Sequence, residues 1–446
     1  MILKAVSPLA SLFSLIPLLT GAHSAEWYVA PPPRGSDSNP GTEQQPFATI
    51  QKGIDTAVNG ETVVVAEGTY MENIQFKGKN IVLSSTDPSE RTVVQSTIID
   101  GNKVNAVVTF AGDEDETCVL SGFTIRNGDN STFGGGIHGG DNDQATRGTI
   151  ENNIITANSS FWGGGVAFCH GTIQGNTITA NSAYEAGGLG SCNGVIQNNV
   201  ISGNSSSASG GIGYCHGMIR NNLITGNRAG RAGGIGDCHA AIANNTIVGN
   251  SANSAKPWGG GLFNCDGPIL NCIIWGNTAG EGPQLHTSSQ PTYSCIQDWI
   301  EGGEGNIALN PQFVDADGPD DDHETYVDNN FRLLPDSPCI NAGKNEDWMW
   351  QAVDLDGDPR VVGGKVDMGA YEYGRFSIIG ITWGPLGGVK IAWGAGAGRT
   401  YTVWKCSDLE AEPWNVLVTI TPGSGLVTLT DPDTAHPRMF YRIETE

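Results

Sequence analysis

Three consecutive stretches decide the fold of this chain: CHGTIQGNTITANSAYEAGGLGS (residues 169–191), CNGVIQNNVISGNSSSASGGIGY (residues 192–214) and CHGMIRNNLITGNRAGRAGGIGD (residues 215–237). Each stretch is 23 residues long, and the same residue types return at the same positions. Self-similarity at a fixed period of roughly 20 to 50 residues is typical of solenoids. The repeat therefore predicts a stack in which each stretch forms one coil.

Columns of like residues set the register of the coils. One column holds cysteines, two hold isoleucines and one holds asparagines: Cys169, Cys192, Cys215 and Cys238; Ile173, Ile196, Ile219 and Ile242; Ile178, Ile201, Ile224 and Ile247; and Asn176, Asn199, Asn222 and Asn245. A four-residue insertion at residues 255–258 lengthens the next step to 27 residues. Insertions in solenoids form loops that project from one face, so we expect such a loop here.

The chemistry of the repeat predicts strands, because it is rich in Gly, Asn and β-branched residues and lacks helical periodicity. Alternation from Ile173 turns Cys169 inward and His170 outward. A further apolar column supplies a third strand, and glycines mark the bend after it: Val166, Leu189, Ile212, Ile235 and Leu262, then Gly190, Gly213 and Gly236. Three strands and three bends per coil predict an all-β fold, a right-handed parallel β-helix with three sheets, whose like residues stack about 4.8 Å apart.

Two inward columns have structural interpretations. Asn at a bend can hydrogen-bond the Asn above and below it, so we expect a buried Asn ladder. We expect the cysteines to form a packed column of thiols. Disulfides between stacked cysteines are the alternative, but in-register parallel neighbours seldom offer the required dihedral angle.

Composition and the first residues limit the location and the partners. Residues 1–25, MILKAVSPLASLFSLIPLLTGAHSA, combine a basic residue, an apolar stretch and small residues, which predicts a cleaved signal peptide and a secreted or cell-surface protein. No other stretch approaches the roughly 18 apolar residues of a membrane span. The formal net charge of -24 argues against nucleic acid as a partner. It also argues against a polyanionic glycan unless cations bridge the two.

The chain divides into five predicted parts: a signal peptide (1–25), an N-terminal cap of the solenoid (26–60), the parallel β-helix (61–310), an acidic C-terminal cap (311–374) and a β-sandwich accessory module (375–446). The N-terminal cap should contain a short amphipathic helix with Ile50, Ile54 and Val58 on one face. Between Glu301 and Glu372 lie 17 acidic residues against four Lys or Arg, which concentrates the charge in the C-terminal cap.

Two groups of motifs carry a resemblance to known proteins. The motifs GSDSNPGT, PFATIQKGID and VVVAEGTY, within residues 35–70, resemble the N-terminal end of secreted bacterial pectate-lyase-like β-helix proteins. The motifs GEGNIALNPQFVDADG, FRLLPDSPCINAG, DLDGDPR and VDMGAYEY, within residues 303–373, resemble the choice-of-anchor Q region that often closes such helices. This resemblance implies fold and export but not activity, because the architecture carries lyases, hydrolases, epimerases and non-catalytic surface proteins.

A polar column on the outward side of the cysteine strand is the first candidate site: His170, Asn193, His216, His239 and Asp266. Stacked imidazoles could hold a metal ion, or supply a base beside a cation that neutralises a carboxylate, as β-elimination of a uronic acid requires. The candidate catalytic residues are His216, His239 and Arg220, and the flanking Tyr214 and Asp237 are candidate substrate-binding residues. The alternative is a solvated strand and turn sequence repeated by duplication.

Aromatic residues near the variable loops form a second candidate: Phe161, Trp162, Tyr184 and Trp258. Exposed rings stack on sugar faces, and rings in successive coils would follow a groove along the solenoid. These residues are candidates for substrate binding. Packing at the roots of the loops explains them nearly as well.

An acidic motif in the C-terminal cap is the candidate metal site. Asp354, Asp356 and Asp358 alternate in DLDGDPR, and alternating carboxylates with a Gly suit oxygen coordination of Ca²⁺. The full twelve-residue calcium loop with its terminal Glu is absent from this motif. A solvated acidic turn is the alternative, and a bound Ca²⁺ would lock the cap.

Two functions fit these features. The first is an exported, monomeric β-helix protein that interacts with a polysaccharide or cell-surface glycan without assured catalysis. The second is a polysaccharide lyase that acts on uronic-acid-containing glycans by cation-assisted β-elimination. The near-regular coils favour the first, because catalytic β-helices usually carry long loops that wall a cleft.

Overall fold

The computed structural model describes most of the chain beyond the predicted signal peptide, which lies outside the described residues except for Ala25. The described ranges are residues 25–141, 143–254, 257–318, 329–362, 364–373, 378–383, 389–395, 400–406, 414–421, 425–431 and 440–445. Two residues of the predicted insertion, 255 and 256, fall outside these ranges.

Parallel strands one coil apart form the walls of a solenoid. The first sheet comprises Glu26–Val29, Thr62–Val65, Val82–Ser85, Val119–Ser121, Thr149–Glu151, Thr172–Gln174, Val195–Gln197, Met218–Arg220, Ala241–Ala243 and Ile269–Leu270. The second sheet comprises Gly68–Tyr70, Thr97–Asp100, Thr124–Arg126, Ile154–Thr156, Thr177–Thr179, Val200–Ser202, Leu223–Thr225, Thr246–Val248, Ile273–Trp275 and Cys295–Ile296. Ile173 pairs with Ile196 and Ile178 with Ile201, in the register that the repeat predicts.

Two further parallel sheets complete each coil. The third sheet comprises Ile74–Gln75, Val108–Thr109, Ile137–His138, Val166–Ala167, Leu189–Gly190, Ile212–Gly213, Ile235–Gly236, Leu262–Phe263 and Leu285–His286. The fourth sheet comprises Asp129–Phe133, Ser159–Trp162, Ser182–Ala183, Ser205–Ser206, Arg228–Ala229 and Ser251–Ala252. The parallel β-helix and its three main sheets are confirmed, and the fourth sheet is an addition to the prediction. Its strands are mostly two residues long, so they leave no alternating pattern in the sequence.

The interior of the solenoid is a stack of apolar columns. The predicted inward residues Ile173, Ile178 and Val166 are buried, as are their counterparts in the other coils. All ten cysteines are buried and free. The backbone N–H of Cys192 donates to the Sγ of Cys215 at 3.2 Å, which confirms a packed column of thiols.

Asparagine ladders line two of the bends. In the predicted ladder, the side-chain oxygen of Asn199 accepts hydrogen bonds from the backbone N–H and the Nδ2 of Asn176, both at 3.0 Å. A second ladder repeats this arrangement one bend further along each coil, with Asn158, Asn181, Asn204, Asn227, Asn250 and Asn277. Both ladders provide hydrogen-bond acceptors for buried backbone N–H groups at the turns, where no neighbouring strand can pair with these groups.

The N-terminal part closes the first coil with a short helix. The helix spans Ile50–Thr56, and the side chain of Thr49 caps it by accepting a hydrogen bond from the N–H of Lys52. Ile50 and Ile54 are buried, as predicted, but Val58 lies beyond the end of the helix and is exposed. A second helix, Arg91–Ser96, is inserted before the strand Thr97–Asp100.

The acidic region expected as an end cap lies against the side of the stack. Its short strands are Phe313–Asp315 and Asn330–Leu333, and a 3-10 helix spans Asp347–Gln351. The described part of residues 330–373, here called the side segment, packs on the outer surface of the second sheet, where Leu223 and Val248 contact Tyr371 and its neighbours. Residues 297–309 follow the last rung, where the N–H of Ile296 donates to the carbonyl of Ile307.

The C-terminal part contains two antiparallel three-stranded sheets that pack face to face. One comprises Ile378–Trp383, Val389–Ala395 and Gly425–Asp431, and the other Asn415–Ile420, Tyr401–Cys406 and Phe440–Thr445. Ile391 of the first sheet shares a buried cluster with Tyr401, Val403 and Ile443 of the second. This arrangement is the small β-sandwich that the sequence predicts. Within the described ranges of the whole chain, no helix is long and apolar enough to cross a membrane.

Candidate functional site

The strands of the third sheet place small residues on its outer surface, and side chains from the adjoining turns cover them. Gly190, Gly213 and Gly236 occupy the outward positions of three successive strands. An added Cβ at Gly190 would lie 2.8 Å from the Cδ1 of Trp162, so the indole ring lies directly on this backbone. We call this surface, together with the rings around it, the aromatic face.

A polar and aromatic cluster occupies the middle of the aromatic face. The rings of Trp162 and Tyr214 have centroids 4.6 Å apart, and the indole N–H of Trp162 donates to Ser191 Oγ at 3.1 Å. The hydroxyl of Tyr214 donates to Glu185 at 3.0 Å and accepts from Arg231 at 3.4 Å. Burial and the bond to Glu185 raise the pKa of Tyr214 to about 12, so its hydroxyl keeps its proton at neutral pH.

The backbone of Tyr214 has a left-handed conformation. Its φ is +58°, a left-handed conformation that is uncommon for a bulky residue. The neighbouring coils place Ser191 and Asp237 in the same conformation, so the turn after each third-sheet strand is left-handed. The conformation of Tyr214 is therefore a property of the repeated turn.

The exposed edge of the aromatic face carries two stacked rings. Phe161 and Tyr184 lie on adjacent coils with centroids 5.0 Å apart and ring planes 17° apart. Phe161 is 48% exposed and Tyr184 is 55% exposed, so the pair is open to solvent.

A ring stack lies at the C-terminal end of the aromatic face. Trp258, Phe263 and His286 are nearly parallel, with each pair of centroids 5.9 Å apart. Trp258 was predicted, whereas Phe263 and His286 were not. The signal for them was present, since His286 follows Phe263 by 23 residues and both occupy the outward strand position of Gly190.

His138 lies at the opposite end of the aromatic face, beside Phe133 and Phe168. Its Nε2 is buried without a hydrogen-bond partner among the described residues, and burial lowers its pKa. From His138 to His286 the face spans seven strands of the third sheet. At about 4.8 Å per step, this is a length of about 29 Å.

Asp237 lies at the rim of the aromatic face, after the strand Ile235–Gly236. Its Oδ1 accepts a hydrogen bond from the side-chain amide of Asn264 at 2.7 Å. All six predicted substrate-binding residues therefore lie on one side of the solenoid. Glu185 and Arg231 were not predicted, because a single charged residue in a loop has no pattern to distinguish it.

The histidine column lies in the turn between the third and first sheets and forms its own ladder. The N–H of His216 donates to Asn193 Oδ1 at 3.0 Å, and the N–H of His239 donates to His216 Nδ1 at 3.2 Å. The rings of His216 and His239 stack with centroids 4.9 Å apart, at the predicted spacing. His239 Nδ1 lies 2.5 Å from Asp266 Oδ1. Burial, followed by the neighbouring His239, lowers the pKa of His216.

Arg220 does not join the two histidines. It belongs to the first sheet, where its Nε donates to Gln197 Oε1 at 2.8 Å. Its guanidinium lies over the ring of Trp348 in the side segment, 4.4 Å from the centroid. The structure thus brings His216 and His239 together. Arg220 has other partners, because the chain bends between His216 and Arg220.

The predicted calcium ligands do not fit a metal ion. Asp354 Oδ1 accepts hydrogen bonds from the N–H groups of Asp356 and Asp358, and its Oδ2 accepts from the N–H of Glu372. Both oxygens of Asp356 accept from the guanidinium of Arg332. Within the described residues no group of three His, Cys, Asp or Glu is arranged to hold a metal ion. This motif is therefore a hydrogen-bonded turn, in which burial raises the pKa of Asp354 to about 6.

Comparisons with known proteins find a family model that matches the N-terminal part, a relative of partial length and a similar solved structure. Residues 34–77 match a family described as a protein of unknown function, DUF1565. The uncharacterized protein YwoF of Bacillus subtilis (strain 168) is 31% identical over 105 residues, which are 24% of this chain and 18% of that protein. The crystal structure of pectate lyase Pel9A is similar with a TM-score of 0.45 and 16% identity, and the similarity covers 79% of this chain and 98% of that one.

Proposed function

We propose that the protein binds an extended glycan along the aromatic face. The observation that carries this proposal is the pair Phe161 and Tyr184, two large rings stacked on adjacent coils and open to solvent. Aromatic rings offer a flat apolar surface, and such surfaces stack on the apolar faces of sugars. The face continues from this pair to the stack around Trp258, over a length that would take several sugar units.

Polar groups between the rings can orient such a ligand. Glu185 and Asp237 accept hydrogen bonds and Arg231 donates them, which suits the hydroxyl groups of a glycan. Binding sites that combine apolar contact with a few placed polar groups obtain specificity from the polar groups. The carboxylates disfavour a strongly anionic glycan at this face.

Packing at loop roots explains only part of the aromatic face. Trp162 covers Gly190 and bonds Ser191, so it stabilises the coil. Phe161 and Tyr184 stack on each other and leave about half of their surfaces in water. We therefore assign a structural role to Trp162 and ligand contact to the exposed pair.

We also propose where the protein acts. The predicted signal peptide supports a role outside the cell or at its surface, where polysaccharides are the abundant extended ligands. We further propose that the chain acts as a monomer and that the C-terminal β-sandwich serves as an accessory module.

A binding experiment tests this function. The double variant Phe161→Ala/Tyr184→Ala should bind a glycan from a polysaccharide panel at least about tenfold more weakly than the native chain, a loss of about 1.4 kcal/mol. Trp350→Ala is the matched control, since Trp350 is 60% exposed and belongs to the side segment. Equal affinity of the double variant and the control would contradict the proposal.

A second candidate function, β-elimination of a uronic-acid glycan, depends on His239 and Asp266. Their short contact can orient the imidazole of His239 as a general base. Such a base would remove the proton next to the sugar carboxylate, and a cation from solution would have to neutralise that carboxylate. Among the described residues, no group of three His, Cys, Asp or Glu is arranged to bind this cation.

The lyase candidate has its own test. The protein is incubated with uronate polysaccharides and Ca²⁺, and the ultraviolet absorbance of the unsaturated product is followed. A lyase should lose this signal in His239→Ala and keep it in His170→Ala, because His170 occupies the same column without Asp266 beside it. A flat trace for the native chain over the whole panel would contradict lyase activity.

A further inference from the structure

The last coil contains a cysteine that faces out of the solenoid. The strand Cys295–Ile296 pairs with Ile273 and Ile274 of the preceding coil. Ile274 and Ile296 belong to the interior of the solenoid, whereas Ile273 and Cys295 belong to a separate buried cluster on its outer side. Cys295 is therefore directed toward the side segment, in contrast to the inward column that contains Cys192.

A second cysteine meets Cys295 from the side segment. Cys339 lies in the same small buried cluster as Cys295, and the neighbouring Cys295 raises the pKa of the Cys339 thiol. Both residues are completely buried. The two thiols therefore belong to one small cluster that is shielded from solvent.

Backbone hydrogen bonds hold both members of this pair. The N–H of Cys295 donates to the carbonyl of Cys272 at 2.8 Å, and the N–H of Met368 donates to the carbonyl of Cys339 at 3.0 Å. The N–H of Cys339 also donates to Ser337 Oγ at 3.2 Å. The pair is thus fixed by the last coil on one side and by the side segment on the other.

The inward cysteines are arranged differently. Cys192 and Cys215 occupy the same position in adjacent parallel coils, so their Cβ atoms are separated by the strand spacing of about 4.8 Å. A disulfide needs a Cβ separation of about 3.8 Å and a twisted dihedral angle. Neighbours in this column cannot approach without moving two strands. Cys295 and Cys339 come from segments that face each other, so the strand spacing does not limit their approach.

We propose that Cys295 and Cys339 form a disulfide when the chain folds in an oxidising compartment, and that this bond joins the side segment to the last coil. Two S–H bonds are broken and one S–S bond is formed. The two electrons pass to a small-molecule disulfide such as oxidised glutathione, which becomes two thiols. Oxidation precedes complete burial, because the oxidant must reach the thiols while the side segment docks. The bond closes the chain between residues 295 and 339 and limits the separation of the side segment from the second sheet.

Peptide mapping tests this proposal. The full chain is refolded from denaturant with reduced and oxidised glutathione, remaining thiols are alkylated, and protease fragments are analysed by mass spectrometry without reduction. We expect one linked pair of fragments, containing Cys295 and Cys339, with a mass lower by two hydrogens than the sum of the free fragments. Recovery of both residues as alkylated thiols in the folded fraction would overturn the proposal, as would linkage of either one to a column cysteine.

Two variants provide the controls. Cys339→Ala should abolish the linked fragments, and Cys192→Ala should keep them. The native chain provides a second readout that does not require either variant to fold. Its thermal unfolding midpoint should be higher in the oxidised form than after reduction. If peptide mapping finds the linked pair but the oxidised and reduced proteins unfold at the same midpoint, the bond does not hold the side segment in place.

Discussion

Removing one amide from the buried ladder tests how the coils are held together. Asn199→Ala deletes a side chain whose Nδ2 donates to Ile173 O at 2.8 Å and to Asn222 Oδ1 at 3.0 Å. Its Oδ1 also accepts the backbone N–H and the side-chain N–H of Asn176. The substitution therefore affects three consecutive coils.

The expected loss follows from the groups that remain without partners. The backbone N–H of Asn176 loses its acceptor inside the solenoid, which costs about 1 to 3 kcal/mol for a buried donor. The lost donations to Ile173 O and Asn222 Oδ1 add about 1 kcal/mol each. We therefore expect Asn199→Ala to lower the free energy of unfolding by about 3 to 5 kcal/mol. Point mutations seldom cost more than about 4 kcal/mol, and the loss of a buried hydrogen-bond network is one of the few causes of such values.

Denaturant unfolding followed by circular dichroism measures this loss. The control is Asn253→Ala, because Asn253 is exposed and its substitution should change the free energy of unfolding by less than about 0.5 kcal/mol. Asn199→Asp is a second variant. It keeps an acceptor for Asn176 but places a charge in the interior, so its destabilisation should decrease as the pH falls and the carboxyl binds a proton. A loss below about 1 kcal/mol for Asn199→Ala would refute the ladder as a source of stability.

Two other substitutions test the aromatic face and the side segment. Gly190→Ala should displace Trp162 from the third sheet and weaken glycan binding severalfold, measured by equilibrium titration, and unchanged binding would show that the position of the indole is unimportant. The pKa of Asp354 in the folded chain is about 6, raised by burial from an ordinary value of about 4. Its contribution to stability is therefore complete below about pH 4 and is lost as the pH rises through about 6, a decrease of about 3 kcal/mol. Urea unfolding at pH 4 and pH 7 should show this decrease in the native chain and a smaller decrease in Asp354→Asn. An equal change in the free energy of unfolding for the two proteins would contradict the raised pKa of Asp354.

Much of the solenoid could be predicted from the sequence because its contacts repeat with the period of the chain. A residue such as Ile196 has its main neighbours 23 residues away, so its environment is visible in the repeat itself. The strand Ser205–Ser206 was not predicted because two serines have neither alternation nor apolar character. The second Asn ladder has the same period as the first and could have been identified.

The side segment could not be placed from the sequence because its contacts have no period. Asn198 donates to the carbonyl of Asp354 across 156 positions of the chain, and nothing in either residue identifies the other. An acidic composition suggested an exposed end cap. Instead, the apolar residues of the segment, such as Tyr371, cover Leu223 and Val248 on the side of the stack.

The candidate site could be predicted only where its residues follow the period of the coils. Phe161, Trp162 and Tyr184 lie within about one coil of each other in sequence, so the predicted stacking brings them to one face. Arg220 was grouped with His216 from sequence proximity alone. A bend at Gly217 turns the chain into the first sheet, and this separates the two side chains.

Covalent footprinting of aromatic side chains shows directly which rings a bound glycan covers. The chain is labelled with hydroxyl radicals in the presence and absence of the polysaccharide that binds best in the panel, and modified residues are quantified by mass spectrometry. We expect protection of Phe161 and Tyr184 in the complex, with unchanged labelling of the exposed Trp350. Protection of Trp350 with no change at Phe161 and Tyr184 would contradict a glycan site on the aromatic face.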